Sequence, residues 1–494
     1  MGRAQLRWNS GSGLARANPA AAQSPVSLVA ADGESLSGNV QSNFAGNGFY
    51  ARNSLTRARD WSGPNPVGGT FTGFDDPNFV RIAIWLADFV GTGFYSRAAD
   101  LAVNGFLPEW TSVDPVNNVS NGVWCVVTAD QYATQAGIPS GGASAVVGAS
   151  FGEEPSDDTA YTTIKNDAAS WLSPLSSSAR FHLYNYTHHL LNPSLWFGST
   201  TGNQAVSASD PTPPTVRKQI TTCDQYWFAS QNGGTNDGGF LLHFQMYTHL
   251  SGNATTDQVA RGSNYGSMMD AIRAQYASQP SSPFGIWTEN GAPFNESFTH
   301  EITPAELQWA IWSAFVHGAR SINYFNHTFR AGDPTGGSNN NFNNDYYGGP
   351  GITGTGIYAK AKEINTRALQ IGPVINGPFD GYFCWGTTAA VSTSGFLTAV
   401  TSTNARSAYA GVDASCRWNP LNSKHYILAT TRESLSATNV PVTCRMVDQG
   451  QTTAVPVFGG SPISVTRGGG IPAGFCEFSD TFAAASDYKV WRID

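Results

Sequence analysis

This sequence has little charge: Asp, Glu, Lys and Arg make up only 13% of its 494 residues. That shortage excludes the self-repelling, aromatic-poor composition of a disordered chain, since aromatics reach 12%. Basic runs are missing as well. With a formal charge of -8 there is no positive groove to follow a phosphate backbone, so nucleic acid is excluded as a partner. No apolar stretch is long enough to span a bilayer, and residues 1–33 lack the continuous apolar segment of a secretory signal, so neither membrane insertion nor export by a visible signal is expected. Cysteine is sparse. The six cysteines (Cys125, Cys223, Cys384, Cys416, Cys444, Cys476) show no CxxC pair and no Cys/His spacing, which argues against a metal site. A Cys416–Cys444 bridge and buried thiols are both open readings.

What the chain does have is Gly, Ser, Thr, Asn and aromatic residues, arranged in three textures. Residues 1–75 have few apolar periods and read as an extended arm with short strands, an attachment segment. Short apolar runs then alternate with helical patterns. The runs at 79–88, 106–110, 122–130, 144–151, 180–186, 219–229, 284–290 and 321–329 read as eight buried strands. Helices are expected at 95–105, closing at Asn104-Gly105, and at 158–172, 266–279, 303–318 and 357–372. The fourth of these has the clearest start, with Thr303 as cap, Pro304 in the first turn and Glu306 completing a capping box; Gly318 stops it. Its Trp309 and Trp312 sit on this helix with Leu307, Ala310 and Phe315, which predicts core packing against the strands. Strands alternating with helices in this way predict an α/β fold, a (β/α)8 TIM barrel over residues 76–377. From 378 to 494 the period becomes that of strands separated by Gly, Pro and Asn turns, which predicts an all-β antiparallel sandwich.

In such a barrel the C-terminal ends of the strands share one mouth, and chemistry is expected there. The polar and aromatic residues at those ends are Asp88, Glu109, Trp110, Asp130, Glu153, Glu154, Asn185, His188, Asp224, Tyr226, Trp227, Trp287, Glu289, Asn290, Asn326 and His327. Cleavage of a glycosidic bond needs one carboxylic acid to protonate the leaving oxygen and one carboxylate to attack, flanked by aromatic surfaces for the sugar rings. Glu154 and Glu289 supply that pair, with Trp110, Trp227 and Trp287 nearby. The bland alternatives are specific too. Glu153 and Glu154, followed by Ser156, Asp157 and Asp158, also fit a solvated first turn of a helix; Glu289 also fits an ion pair with Arg261 or Arg320. Glu296 and Glu301 replace Glu289 if the strand boundary slips. His188 and His189 lack the further ligands a metal needs, so they read as sugar-binding or loop residues. The polar stretch 330–351 is either an unstructured connection or a rim over a sugar groove, with Tyr346 and Tyr347 stacking.

Two motifs, GASFGEEPSD after the fourth strand and FGIWTENG at the seventh, give the chain a resemblance to clan A glycoside hydrolases, which carry an acid/base Glu within Asn-Glu-Pro after strand four and a nucleophilic Glu after strand seven. The resemblance implies Glu154 as acid/base, Glu289 as nucleophile, Tyr226 and Asn290 as positioning groups, and no metal or organic cofactor. Glu109, Asn185, His188 and His327 would hold sugar hydroxyls. The chain departs from the motif at Glu153, which stands where asparagine is usual and either raises the acid's pKa or accepts a hydrogen bond from sugar. In composition and layout the chain also resembles minor tail proteins of phages infecting actinobacteria. That likeness implies a virion location, with a secreted, extracellular enzyme as the other reading of the same composition, cell-surface polysaccharide as partner, other tail proteins bound through the N-terminal arm, and a multimer in the virion. A non-catalytic glycan-binding barrel is the alternative it leaves open.

Overall fold

Each apolar run in the 80–325 region forms a short strand, and those at 81–85, 105–107, 146–150 and 321–325 are buried along their whole length. The computed structural model describes residues 80–85, 94–107, 114–152, 158–172, 181–186, 219–223, 265–266, 269, 284–289, 303–325, 356–377, 379–383, 395–402, 412–419, 421–431, 439–484 and 487–494, together with 28–29 and 35–36. Near the N-terminus, Leu28–Val29 pairs antiparallel with Ser35–Leu36. The strands that follow are β1 (Arg81–Trp85), β2 (Gly105–Leu107), β3 (Trp124–Thr128), β4 (Val146–Ser150), β5 (Phe181–Tyr186), β6 (Gln219–Cys223), β7 (Phe284–Glu289) and β8 (Ser321–Phe325). They pair in parallel in the order β8-β1-β2-β3-β4-β5-β6-β7, and β7 pairs again with β8, so the sheet closes on itself.

Between these strands run α1 (Phe94–Asp100), α2 (Pro115–Ser120), α3 (Asp158–Leu172) and α4 (Pro304–Val316), and after β8 come α5 (Ile357–Gln370) and the short α6 (Gly372–Ile375). Alternate strand residues divide between two environments, as the two-residue period of a strand requires. Ile82, Ile84, Phe106, Cys125, Val127 and Ile322 join the core packed under the helices. Tyr324 belongs to the same layer: its hydroxyl donates to Asn365 Oδ1 on α5 (2.7 Å), and Asn365 Nδ2 donates to Leu101 O (2.7 Å). The intervening positions, among them Ala83, Trp85, Asn323 and Phe325, line the interior of the closed sheet.

Two local predictions resolve differently. The start of α4 follows the sequence: Thr303 Oγ1 accepts from Glu306 N (3.2 Å), and Glu306 Oε2 accepts from Thr303 N (2.8 Å), a reciprocal cap that stabilises a helix by about 1 kcal/mol. Gly318 then takes φ 110° and ends the turn. Helix α1, by contrast, stops at Asp100 instead of at Asn104-Gly105. Ala102 adopts φ 57° and Val103 N donates back to Ala98 O (2.8 Å), closing the helix in the manner usually left to glycine. Asn104 is released for another task. Its Nδ2 donates to Val80 O (2.8 Å), while its Oδ1 accepts from Ile82 N (3.0 Å) and from Trp124 Nε1 (2.9 Å), so one side chain ties β1 to β3 beneath the three-residue β2. Gly105 is needed beside it: a Cβ there would lie 2.1 Å from the Trp124 ring.

The C-terminal region forms two antiparallel sheets. One contains β9 (Phe379–Phe383), β11 (Val412–Asn419), β12 (Lys424–Thr431), β14 (Thr453–Pro456), β15 (Ile463–Ser464) and β17 (Tyr488–Ile493); the other contains β10 (Leu397–Thr401), β13 (Val440–Val447) and β16 (Phe475–Phe482). Both contribute to one apolar core that includes Leu397, Val442, Ile427, Phe478 and Trp491. Cys416 and Cys444 are buried there as thiols, which corrects the bridge reading in favour of its alternative.

Trp309 and Trp312 are core residues, yet their partners extend beyond the barrel. Trp309 Nε1 donates to Thr431 O, and Trp312 stacks on Tyr488 with ring centroids 4.0 Å apart and planes at 9°. Helix α4 is therefore shared by the barrel and the C-terminal sheets. A buried polar set flanks it: His317 Nε2 lies 3.0 Å from Asp413 Oδ2, and Arg417 donates to Phe315 O (2.7 Å) and Gly377 O (3.3 Å). Gly266 makes room for the imidazole, since a Cβ there would approach His317 to 2.5 Å.

Candidate active site at the C-terminal rim

Strand register places the rim residue by residue. Trp85 is in register with Leu107, Thr128 with Ser150, Asn185 with Thr222, and Phe325 with Glu289. All these positions share the interior parity of the closed sheet, so β1 to β8 end around one opening. The rim is aromatic on one side, where the Trp85 and Phe325 rings lie 4.2 Å apart at 32°. Opposite them it is polar. Thr222 Oγ1 donates to Asn185 Oδ1 at 3.0 Å, and both residues are buried.

The opposite end of the sheet has a different character. Arg81 begins β1, in register with Ser321, and is 4% exposed. Burial pushes its guanidinium down to about 9, still high enough to keep it protonated at neutral pH.

Three of the sequence-predicted site residues fall on described strands. Asn185 is the penultimate residue of β5, and Trp287 and Glu289 occupy β7, with Glu289 at its last position opposite Phe325. β4 ends at Ser150, four residues before Glu154, on the same rim. Asp88, Glu109, Trp110, Glu153, Glu154, His188, Tyr226, Trp227, Asn290, Asn326 and His327 lie outside the described residues, as do Arg261 and the 330–351 stretch. Strand six is described as far as Cys223, so Asp224, Tyr226 and Trp227 lie beyond its described span. Asp130 is an exposed turn residue after β3. Among the described residues no group of three His, Cys, Asp or Glu side chains is placed to hold a metal ion.

Sequence reasoning missed Trp85, Thr128, Ser150, Thr222 and Phe325 as rim residues. The signal that finds them is the two-residue period counted back from each strand end, which separates interior positions from helix-facing ones before any chemistry is considered.

No family model matches the sequence, and no curated protein matches it. Among solved structures, the chain is similar to an endo-β-1,3-glucanase of family GH128 from Amycolatopsis mediterranei in complex with laminarihexaose (13% identity, TM-score 0.31, covering 58% of this chain and 99% of that one). It is also similar to the endo-β-1,4-mannanase from Thermotoga petrophila (8% identity, TM-score 0.36, covering 82% and 91%). A third similar structure is the HpcH/HpaI aldolase from Desulfitobacterium hafniense (11% identity, TM-score 0.28, covering 50% and 87%). Likenesses at these scores, shared by glycanases and an aldolase, decide no chemistry. The fold rests on the strand pairing.

Proposed function

We propose that this chain is a glycoside hydrolase that cleaves O-glycosidic bonds of a cell-wall or surface polysaccharide by a retaining two-glutamate mechanism. In this reading its frame is a (β/α)8 barrel over residues 76–377, followed by a β-sandwich over 378–494. The observation that carries the reading is positional: β7 ends at Glu289 and β4 ends four residues before Glu154 on one rim of a closed parallel sheet. Glu154 protonates the leaving oxygen, Glu289 attacks the anomeric carbon to form a glycosyl-enzyme, and Glu154 then deprotonates the water that releases the sugar. The Trp85–Phe325 pair supplies an apolar surface beside the nucleophile.

Glu154→Gln and Glu289→Gln should each nearly abolish release of reducing sugar from cell-wall polysaccharide. Unchanged release in either variant removes that residue from the mechanism.

A second reading follows from Glu153. Where the motif has asparagine this chain has a second carboxylate, and a barrel that binds glycan without cutting it would accommodate that change. Binding without cleavage across a broad glycan panel selects this reading. In both readings we place the protein on a phage tail, anchored as a multimer through residues 1–75, because low charge and a Gly/Ser/Asn-rich start fit a surface-reaching virion part. Immunogold labelling of virions with an antibody to the chain tests that placement, and unlabelled tails reject it.

A further inference from the structure

Away from the rim, a groove of about 580 Å³ lies where α5 passes the turn after β14. That volume falls within the roughly 300–1,000 Å³ usual for small-ligand sites. The floor is apolar, made by Ala359 of α5 with Val457 and Phe458 of the turn. It is also held in place: Val457 N donates to Val490 O (2.8 Å), and the Phe458 ring packs at 64° to Trp312 with centroids 5.6 Å apart. The wall is polar, formed by Glu363, Arg367 and the exposed Gln370, which share one face of α5. Arg367 is oriented from three directions. Its guanidinium lies 5.2 Å from the Phe458 ring centroid, donates to the Tyr488 hydroxyl and pairs with Glu363 Oε1 at 2.8 Å. The last two contacts engage two of the five N–H donors of an arginine.

The charges of the lining cancel. Arg367 is matched by Glu363, and Lys362, which also borders the groove, is matched by Asp100 at the end of α1. An anion entering the groove meets Glu363, and a cation meets Arg367 and Lys362. The lining therefore favours an uncharged ligand that both accepts and donates hydrogen bonds and has an apolar face for the floor. A sugar ring, with C–H groups on its face and hydroxyls around its edge, has that pattern.

We propose that this groove is a second glycan-binding site, holding an uncharged oligosaccharide segment against α5. None of its residues belongs to a barrel strand, so it is separate from the rim. The proposal rests on the glycan reading above for its ligand class and adds to it that a long polysaccharide is held at two places, whereas a short one occupies either alone.

The test uses the full chain. In protein carrying carbon-13 alanine methyls, the Ala359 signal is the one lost in Ala359→Ser. It should shift and saturate when laminari-, manno- or chitohexaose is added at millimolar concentration, in a Glu289→Gln background that keeps the sugar intact, and tetragalacturonate should leave it in place. Gln370→Ala should weaken that binding roughly 3- to 10-fold, the size of one hydrogen bond. Ala359→Trp, at an exposed helix position, fills the groove. With Glu289 intact, it should lower hydrolysis of an insoluble polysaccharide on the order of 10-fold while leaving hydrolysis of the hexasaccharide unchanged.

An Ala359 methyl unmoved by all three neutral sugars overturns the site, and one moved by tetragalacturonate in their place overturns the neutral ligand. If Ala359→Trp fails to fold, the methyl titration and Gln370→Ala decide alone. A methyl that saturates in a protein cleaving no glycan leaves the groove standing and rejects hydrolysis at the rim; cleavage of hexasaccharide with the methyl unmoved does the reverse.

Discussion

The two ends of the closed sheet are built for different work. At the N-terminal end, Asn104 ties three backbone and side-chain groups together, Gly105 admits the Trp124 ring, and Arg81 is sealed inside. Below and beside this end, α4 joins the barrel to the C-terminal sheets through Trp309, Trp312 and the His317–Asp413 contact. The C-terminal rim has instead an aromatic pair, the buried, hydrogen-bonded Asn185 and Thr222, and the backbone position of Glu289. One end is committed to holding the molecule together. The other presents groups that can meet a ligand, as the division of labour in parallel barrels leads one to expect.

The sharpest way to break that comparison is to mutate both ends and measure activity and stability together. At the rim, Glu289→Gln should lower glycan hydrolysis on the order of 1,000-fold or more while leaving the melting temperature nearly unchanged. A large fall in melting temperature would mean that this rim position serves the fold. At the other end the signs reverse. Asp413→Ala leaves His317 buried without its carboxylate and should destabilise the protein by about 3–5 kcal/mol, read by denaturant unfolding, with catalytic parameters of the remaining folded fraction intact. Asn104→Ala removes three part-buried hydrogen bonds and should cost roughly 2–3 kcal/mol by the same measurement.

His425 gives a pH-dependent version of the same test. Burial holds its pKa well below 6.5, and the ring is stacked on Phe396 with centroids 3.9 Å apart at 15°. A histidine neutral in the folded state but protonated in the unfolded chain gives stability that is complete above pH 6.5. It is lost as the pH falls from there towards the folded-state pKa, by up to about 1.4 kcal/mol per pH unit. His425→Phe should flatten that slope in unfolding curves taken between pH 7 and pH 5. The smallest effect is expected at Ala102, where φ is 57°: Ala102→Gly should stabilise by roughly 0.5–1 kcal/mol, since glycine adopts that conformation without a Cβ clash.

Local patterns were the most legible part of the sequence. The helix Asp158–Leu172 has the bounds that periodicity predicts, and the capping box of α4 is as read. Long-range partners were not legible. β11, VDASCRWN, escapes a strand reading because Asp413 and Arg417 look like surface charges; both are buried, and their partners His317 and Phe315 lie about a hundred residues away in the chain. Asn104 was misread for a similar reason, since Asn-Gly is an ordinary helix stop and nothing local shows that its amide will be drawn into the sheet.

At the rim, Glu289 and Asn185 were found because strand ends carrying polar residues stand out, whereas Thr222 did not, because a single threonine in a strand has no chemical signature. Its hydrogen-bond partner lies 37 residues earlier in the chain.

The central claim is that Glu154 and Glu289 act as a pair across one glycosidic bond, and their carboxyl separation in a crystal structure tests it most directly. A separation of about 5–5.5 Å is the result expected for a retaining pair, and one well beyond about 9.5 Å would contradict any two-carboxylate assignment of these residues.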